Sequence, residues 1–467
     1  MEKAVCAPIA AECDWVREYL PLKSRGRLRS GSCSTRSPSP SQESIRSVPS
    51  VAFLEEGLEV AALGRARGSD AGPLCRAVFA LASSAMGAGC LSLPFMLRSC
   101  GVASGFLMLL LGASLAHLSL TVLMDGAVRT GCSRMAELVA PSGSVGARAF
   151  VDMVMATFGI SAMLCNLIFA GNFFSGIAHS PLLNLDVSRD RLIAAISAFV
   201  VWPLSLGRGK SVLRHVSFLS VAAICLTAVI VACKAPAYAA VRSAATLPED
   251  RELKRWSSDP YTLLQSFSIA LFAFNAHANA VPTAHTLARS GGDSRQMVRV
   301  SLCSVCVELV VYSLIGIGGY LSFGSTTKQD FILNYPDDDP LMFFVRCISG
   351  VAVCLGAPIN LSPAASSLTG LLSGKGQAAS RSLHVLVVTL AIAGSACVAI
   401  CSESIADVTG LLGASFATLI VLAWPASVYR RVRLRSHPPR LARCVLGSLG
   451  CAALLGFAAF ACQVLGH

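Results

Sequence analysis

The sequence predicts an all-α integral membrane protein with eleven transmembrane helices. Three observations carry this fold class: long apolar runs without charge, a low overall charge content, and basic residues gathered between the runs. Residues 99–124, 153–185, 260–288, 347–374, 382–402 and 444–467 contain no Asp, Glu, Lys or Arg. A helix needs about 20 apolar residues to cross the hydrocarbon of a bilayer. The runs do not alternate apolar with polar residues, as the strands of a membrane barrel would. Of the 467 residues, 54% are hydrophobic and 14% charged, whereas a soluble domain carries about 25% charge.

Taken in order, residues 1–70 mix Ser, Arg, Pro and Glu, as in Arg25-Gly26-Arg27-Leu28-Arg29 and Ser37-Pro38-Ser39-Pro40. That composition predicts a disordered tail, with 71–467 as the transmembrane domain. The first 20 residues lack an apolar core segment, so no signal peptide is expected. The expected spans are 74–98, 102–124, 149–175, 191–206, 215–233, 260–288, 300–322, 341–365, 382–402, 406–429 and 444–463. Their connections are short except for 234–259, which is polar and holds Pro236, Pro248 and Trp256.

Charge sets the orientation. Counted from a cytoplasmic N-terminus, the inner loops carry Arg129, Arg134, Arg148, Arg208, Lys210, Arg214, Arg289, Arg295, Arg299, Lys375 and Arg381. The last inner loop adds Arg430, Arg431, Arg433, Arg435, Arg440 and Arg443, while the opposite side carries Asp337-Asp338-Asp339. Lys and Arg favour the cytoplasmic side, so the N-terminus is expected inside and the C-terminus outside or in a lumen. The net charge of +12 has the same origin, and nucleic-acid binding is not expected. The 19 cysteines lie mostly within apolar runs, where a thiol serves as a small hydrophobe. Cys303 and Cys306 form a single CxxC, too little for a metal or redox site. No nucleophile–base pair, HExxH or phosphate loop points to an enzyme.

Two spans are expected to be interrupted. The first reads Ser83-Ser84-Ala85-Met86-Gly87-Ala88-Gly89-Cys90-Leu91-Ser92-Leu93-Pro94. Gly weakens a helix and Pro lacks an amide donor. The sixth reads Phe272-Ala273-Phe274-Asn275-Ala276-His277-Ala278-Asn279-Ala280-Val281-Pro282 and places two Asn and a His at mid-membrane. In each, the Pro follows the start of the unusual stretch by seven residues, Gly87 to Pro94 and Asn275 to Pro282. Spans one and six open the two halves of a five-plus-five arrangement. Interrupted helices at matching places in two halves mark a transporter's binding site, because freed amides meet an anionic group and freed carbonyls a cation.

These residues carry a resemblance. Gly87-Ala88-Gly89-Cys90-Leu91-Ser92-Leu93-Pro94-Phe95 with Gly101, Phe274-x-x-His277 with Pro282, Gly319-Tyr320-Leu321-Ser322-Phe323-Gly324, and Pro203-Leu204-Ser205-Leu206 with Val216-Ser217-Phe218-Leu219-Ser220 occur in order across 73–463. Together they resemble the amino acid/auxin permease family of the amino acid–polyamine–cation superfamily. The resemblance implies a LeuT-type inverted repeat and amino acid transport linked to a proton or sodium ion, with no organic cofactor. It departs from the family pattern at Asn172, where many relatives carry an acid, and at Ala278, where some carry Pro.

The candidate substrate contacts are Ser84, Gly87, Ala88, Gly89, Phe274, Asn275, His277 and Asn279. Met86, Pro358, Asn360 and Ser362 are candidates for a cation site. Each has a plainer reading. The glycines could serve close helix packing, the Asn side chains could bond neighbouring helices, and Pro358 could only kink its span. His277 could be a satisfied interior histidine or a titrating group that sets the pH dependence of transport. Glu308, eight residues into the seventh span, is expected to face protein, in an interhelical pair rather than as a proton relay. The competing function is an amino acid-sensing receptor that signals through the N-terminal tail. The plasma membrane and the vacuolar or lysosomal membrane are the expected locations.

Overall fold

The computed structural model describes residues 71–141, 145–181, 183–206, 210–245, 252–373, 380–402, 405–432 and 439–465. The expected disordered tail, 1–70, lies outside the described residues. Among the described residues the secondary structure is helical throughout, with no strand.

The first span is built of three pieces: α1 (Ala71–Ala85), α2 (Ala88–Leu91) and α3 (Leu93–Cys100). Then follow α4 (Val102–Thr130), the short α5 (Met135–Val139) and α6 (Val145–Ala178). Helix α7 (Arg189–Ile196) runs through a π-helical stretch, Ser197–Val201, into α8 (Trp202–Leu206), and α9 (Lys210–Ala245) follows. The sixth span is again divided, into α10 (Pro260–Ala273), a 3₁₀ turn at His277–Asn279, and α11 (Ala280–Arg289). The remaining helices are α12 (Ser294–Phe323), α13 (Pro340–Leu372), α14 (Arg381–Cys401), α15 (Ile405–Leu412), α16 (Trp424–Val432) and α17 (Pro439–Leu465). A π-helical stretch, Gly413–Ala423, joins α15 to α16.

Among the described residues, eight stretches are long and apolar enough to cross a membrane unaided. They coincide with eight of the expected spans. The other three, 74–98, 191–206 and 260–288, are assembled from shorter pieces. Interruption shortens two of them, and a π-helical stretch divides the third.

Helices α6 and α13 form the most extensive pairing and are the most enclosed, 72% and 67% buried over their apolar windows, against 33% for α17. A helix enclosed by protein can carry polar side chains that a lipid-facing one cannot. Asn166 and Asn360, on α6 and α13, are such side chains.

Irregular chain covers one end of the helices. Gly101 adopts φ 91°, and a Cβ there would sit 2.7 Å from the Arg255 carbonyl group. That close approach lets the first two amides of α4, on Val102 and Ala103, donate to the carbonyls of Lys254 and Arg255, each at 3.0 Å. The connection from α12 to α13 is tied down on several sides. Arg98 of α3 donates to the Thr327 carbonyl at 2.8 Å, Phe331 packs at Gly319 beside Pro94, and Leu333 packs at Gly176 of α6. Asp330, in this connection, is 5% exposed, and neither of its carboxylate oxygens accepts a well-formed hydrogen bond. Burial pushes its carboxyl up to about 7, against the opposing pull of Asn172, Arg346 and Lys328. The Arg346 guanidinium is committed elsewhere, to Asp337 and the Tyr335 carbonyl.

Candidate functional site

The two interruptions face each other. In the first, the α1 ladder ends with the Met86 amide on the Ala82 carbonyl, and the Gly87 amide turns to Ala85 at 2.9 Å. Gly87 has φ −147° and ψ −139°, outside helical space. A Cβ on Gly89 would lie 3.0 Å from the Ala273 Cα and 3.2 Å from the Phe272 ring. The glycine is therefore what lets the first break touch the end of α10. In the second, Asn275 and Ala276 leave the helical pattern, and the stranded Ala273 carbonyl accepts the Tyr312 hydroxyl of α12 at 2.8 Å. Pro94 and Pro282 both fall in the first turn of the helix that resumes, where a missing amide costs nothing.

Between the breaks lies a cavity of about 310 Å³, counting its open mouth, lined by Ser84, Ala85, Gly87, Ala88, Gly89, Phe158, Ala162, Asn166, Phe272, Asn275 and Asn360. None of these side chains is ionisable. Phe158 and Phe272 meet edge to face, ring centres 6.1 Å apart, and form an apolar wall. The polar side is made of carboxamides. Asn166 Oδ1 accepts the Ala88 amide at 3.3 Å, and its Nδ2 donates to the Ala162 carbonyl at 3.0 Å. Gly87 keeps its slot open, since a Cβ there would lie a tight 3.2 Å from Oδ1, and Gly356 borders it on the other side. Asn275 Oδ1 accepts the His277 amide at 3.3 Å, whereas its buried Nδ2 has no protein acceptor. A buried donor without a partner is uncommon and calls for a ligand or water.

Of the eight candidate substrate contacts, Ser84, Gly87, Ala88, Gly89 and Asn275 line this cavity. Phe274, His277 and Asn279 do not. Phe274 turns to α12 and meets Tyr312 edge to face, with centres 4.9 Å apart. His277 is fully buried and meets Ser119 of α4, Nε2 to Oγ, at 2.7 Å. Because the Ser119 hydroxyl donates to the Leu115 carbonyl at 2.7 Å, Nε2–H is the donor to Ser119. That leaves Nδ1 of His277 bare. Asn279 is half-buried, with its Nδ2 unpartnered. Of the cation candidates, Asn360 borders the cavity, Met86 and Pro358 are buried outside its lining, and Ser362 is exposed. Asn166, Phe158, Ala162, Phe272 and Ala85 line the cavity without having been singled out from sequence. Asn166 had a signal, a carboxamide in the middle of a charge-free run.

One departure from the family pattern also has a place. Asn172 accepts a hydrogen bond from Arg189 Nε at 2.7 Å, and Arg189 Nη2 reaches the Ala399 and Ser402 carbonyls at the end of α14.

Comparison with known proteins accords with this geometry. Residues 72–464 match the model of a family described as transmembrane amino acid transporter protein. The chain belongs to that family. A putative amino acid transporter, AAT1, from Toxoplasma gondii is 30% identical over 302 residues, 64% of this chain and 41% of that protein. The chain thus spans less than half of that relative's length. A putative sodium-coupled neutral amino acid transporter 11 from Rattus norvegicus is 24% identical, over 80% of this chain and 82% of its own. These relatives are named as transporters, not enzymes. Among solved structures, the manganese transporter of Eremococcus coleocola superposes with a TM-score of 0.57 at 13% identity, covering 84% of this chain and 87% of that one. A nucleobase-cation-symport-1 family transporter in a closed conformation gives 0.57 at 12% identity, covering 84% and 93%. At such identities the likeness is one of fold: a multi-pass helical transporter fold.

Proposed function

We propose that this protein is a secondary active transporter that moves a small neutral amino acid across a membrane by alternating access. One observation carries the reading: two broken helices meet at an uncharged cavity where a buried carboxamide donor, Asn275 Nδ2, has no protein acceptor. A substrate carboxylate would supply that acceptor, and freed main-chain groups at Gly87, Ala88 and Gly89 would complete its contacts. The ammonium group would go to carboxamide and hydroxyl oxygens at Asn360 and Ser84. The Phe158–Phe272 wall suits an apolar side chain, and the absence of charge in the lining disfavours acidic and basic ones. Phe274, His277 and Asn279 shape the second break from behind the cavity.

In this reading the membrane domain has eleven spans, the eight long helices and the three assembled from pieces. Its N-terminus is cytoplasmic, and the broken first and sixth spans open the two five-helix halves of an inverted repeat. A proton or sodium gradient drives transport.

The reading is tested by uptake of each labelled amino acid into proteoliposomes, with and without sodium and across a range of pH. Saturable uptake of small neutral amino acids is expected. Failure of every amino acid to enter would overturn it.

A further inference from the structure

Glu308 is a fully buried carboxyl in the middle third of α12. One oxygen, Oε1, accepts the Ser304 hydroxyl at 2.9 Å; the other, Oε2, is buried without a partner. The ion pairs found among the described residues join Arg129 to Asp125, Arg134 to Asp152, Lys234 to Asp339 and Arg346 to Asp337, and none includes Glu308. A bare carboxylate in such surroundings is far more costly than a neutral acid.

The face of α12 that bears Glu308 also touches both broken helices. One turn on, Tyr312 holds the stranded Ala273 carbonyl of the second break. A further turn on, Gly316 packs against Leu93 just past the first. Tyr312 and the Cys90 thiol of α2 are the titratable groups on this side, with Cys225 of α9 beyond Cys90. His117 of α4 meets α12 about two turns before Glu308, at Ser301, 3.0 Å away. No cation stands among them. Glu308 therefore sits where a change in the breaks would change its access to water, and among the described residues it has no counterion to hold its charge.

We propose that Glu308 is the proton carrier of this transporter. Its carboxylate takes a proton from hydronium on one side of the membrane, the carboxyl O–H bond forming as a hydronium O–H bond breaks and water is left, and the acid holds it while the breaks are closed around substrate. It gives the proton up to water on the other side when the breaks reopen. This rests on the transporter reading and names its coupling ion and the residue that carries it. Glu308 lies outside the cavity lining, so removing its charge should uncouple transport without removing binding.

The test uses the full-length protein in proteoliposomes. With one proton moved per neutral substrate, a pH gradient of one unit supports about tenfold accumulation. The wild-type protein should accumulate labelled amino acid when the side it enters from is acidic. Glu308→Gln should exchange internal for external amino acid but never exceed the equilibrium level. Accumulation by Glu308→Gln equal to wild type would overturn the proposal, as would wild-type accumulation driven by sodium and indifferent to pH. If Glu308→Gln fails to insert, Ser304→Ala decides, because it keeps the carboxyl and strips its one hydrogen bond. It should move the midpoint of the pH–uptake curve by about half a unit or more, and an unmoved midpoint would refute the role. Absence of both uptake and exchange in the wild type would instead overturn the transporter reading itself.

Discussion

Replacing Asp330 with Asn should stabilise this protein, and more so as pH rises. The carboxyl is buried in the α12–α13 connection without a well-formed hydrogen bond, and burial lifts it from 3.8 to about 7. A raised carboxyl means that the folded state binds the proton more tightly than the unfolded one. Stability is then undiminished below the unfolded value, falls as pH climbs from about 4 to about 7, and is flat above. Roughly three units at 1.36 kcal/mol each give about 4 kcal/mol in full. About 1.5 kcal/mol of that is already lost at pH 5, so about 2.5 kcal/mol remains to be lost by pH 8. Asn has the shape of the neutral acid and does not titrate. The assay is thermal unfolding of both purified proteins in the same detergent at pH 5, 6, 7 and 8. The melting temperature of Asp330→Asn should exceed that of wild type by a margin that widens to pH 7 and then holds. A constant margin, or one that shrinks, would show that Asp330 is solvated or paired and that the connection does not bury it.

Gly89→Leu should insert normally and lose uptake, since even a Cβ there would lie 3.0 Å from the Ala273 Cα and overpacking costs about 1–3 kcal/mol; normal uptake by a well-expressed variant would remove this break from the site. His277→Gln should retain uptake and its pH dependence, because Gln can still donate to Ser119 and the proton resides at Glu308. A pH profile flattened by His277→Gln and untouched by Glu308→Gln would move the proton site to the histidine. A protease site inserted after Leu434 should be cut from the cytoplasmic side and a tag after His467 should not be reachable there, as the basic loops require; both on one side would contradict eleven spans.

What was legible in the sequence was what the bilayer itself imposes. Apolar stretches long enough to span had to become helices, and among the described residues eight did so as single long stretches. Glycine and proline at Gly87, Gly89, Pro94 and Pro282 announced the breaks, because their backbone chemistry is local. What those breaks look toward was not local. Phe274 and His277 share the second break with Asn275, yet they turn to α12 and α4 while Asn275 turns to the cavity. A non-helical stretch has no fixed period from which to read a direction. Asn166 offered a signal but not a role: its role depends on Gly87 of the first break coming close to it, which only the packing reveals. Glu308 was expected to face protein and does, but the lack of any cation beside it became apparent only once the surrounding helices were in place.

The central claim is that an amino acid binds where the two breaks meet and crosses from there. Uptake kinetics of wild type and Asn275→Ala in proteoliposomes test it most directly. Losing one hydrogen bond to a charged group costs about 1.5–3 kcal/mol, so the variant should reach the same maximal rate with KM raised by roughly ten- to a hundredfold. An unchanged KM, or a wild-type protein that transports no amino acid at all, would contradict it.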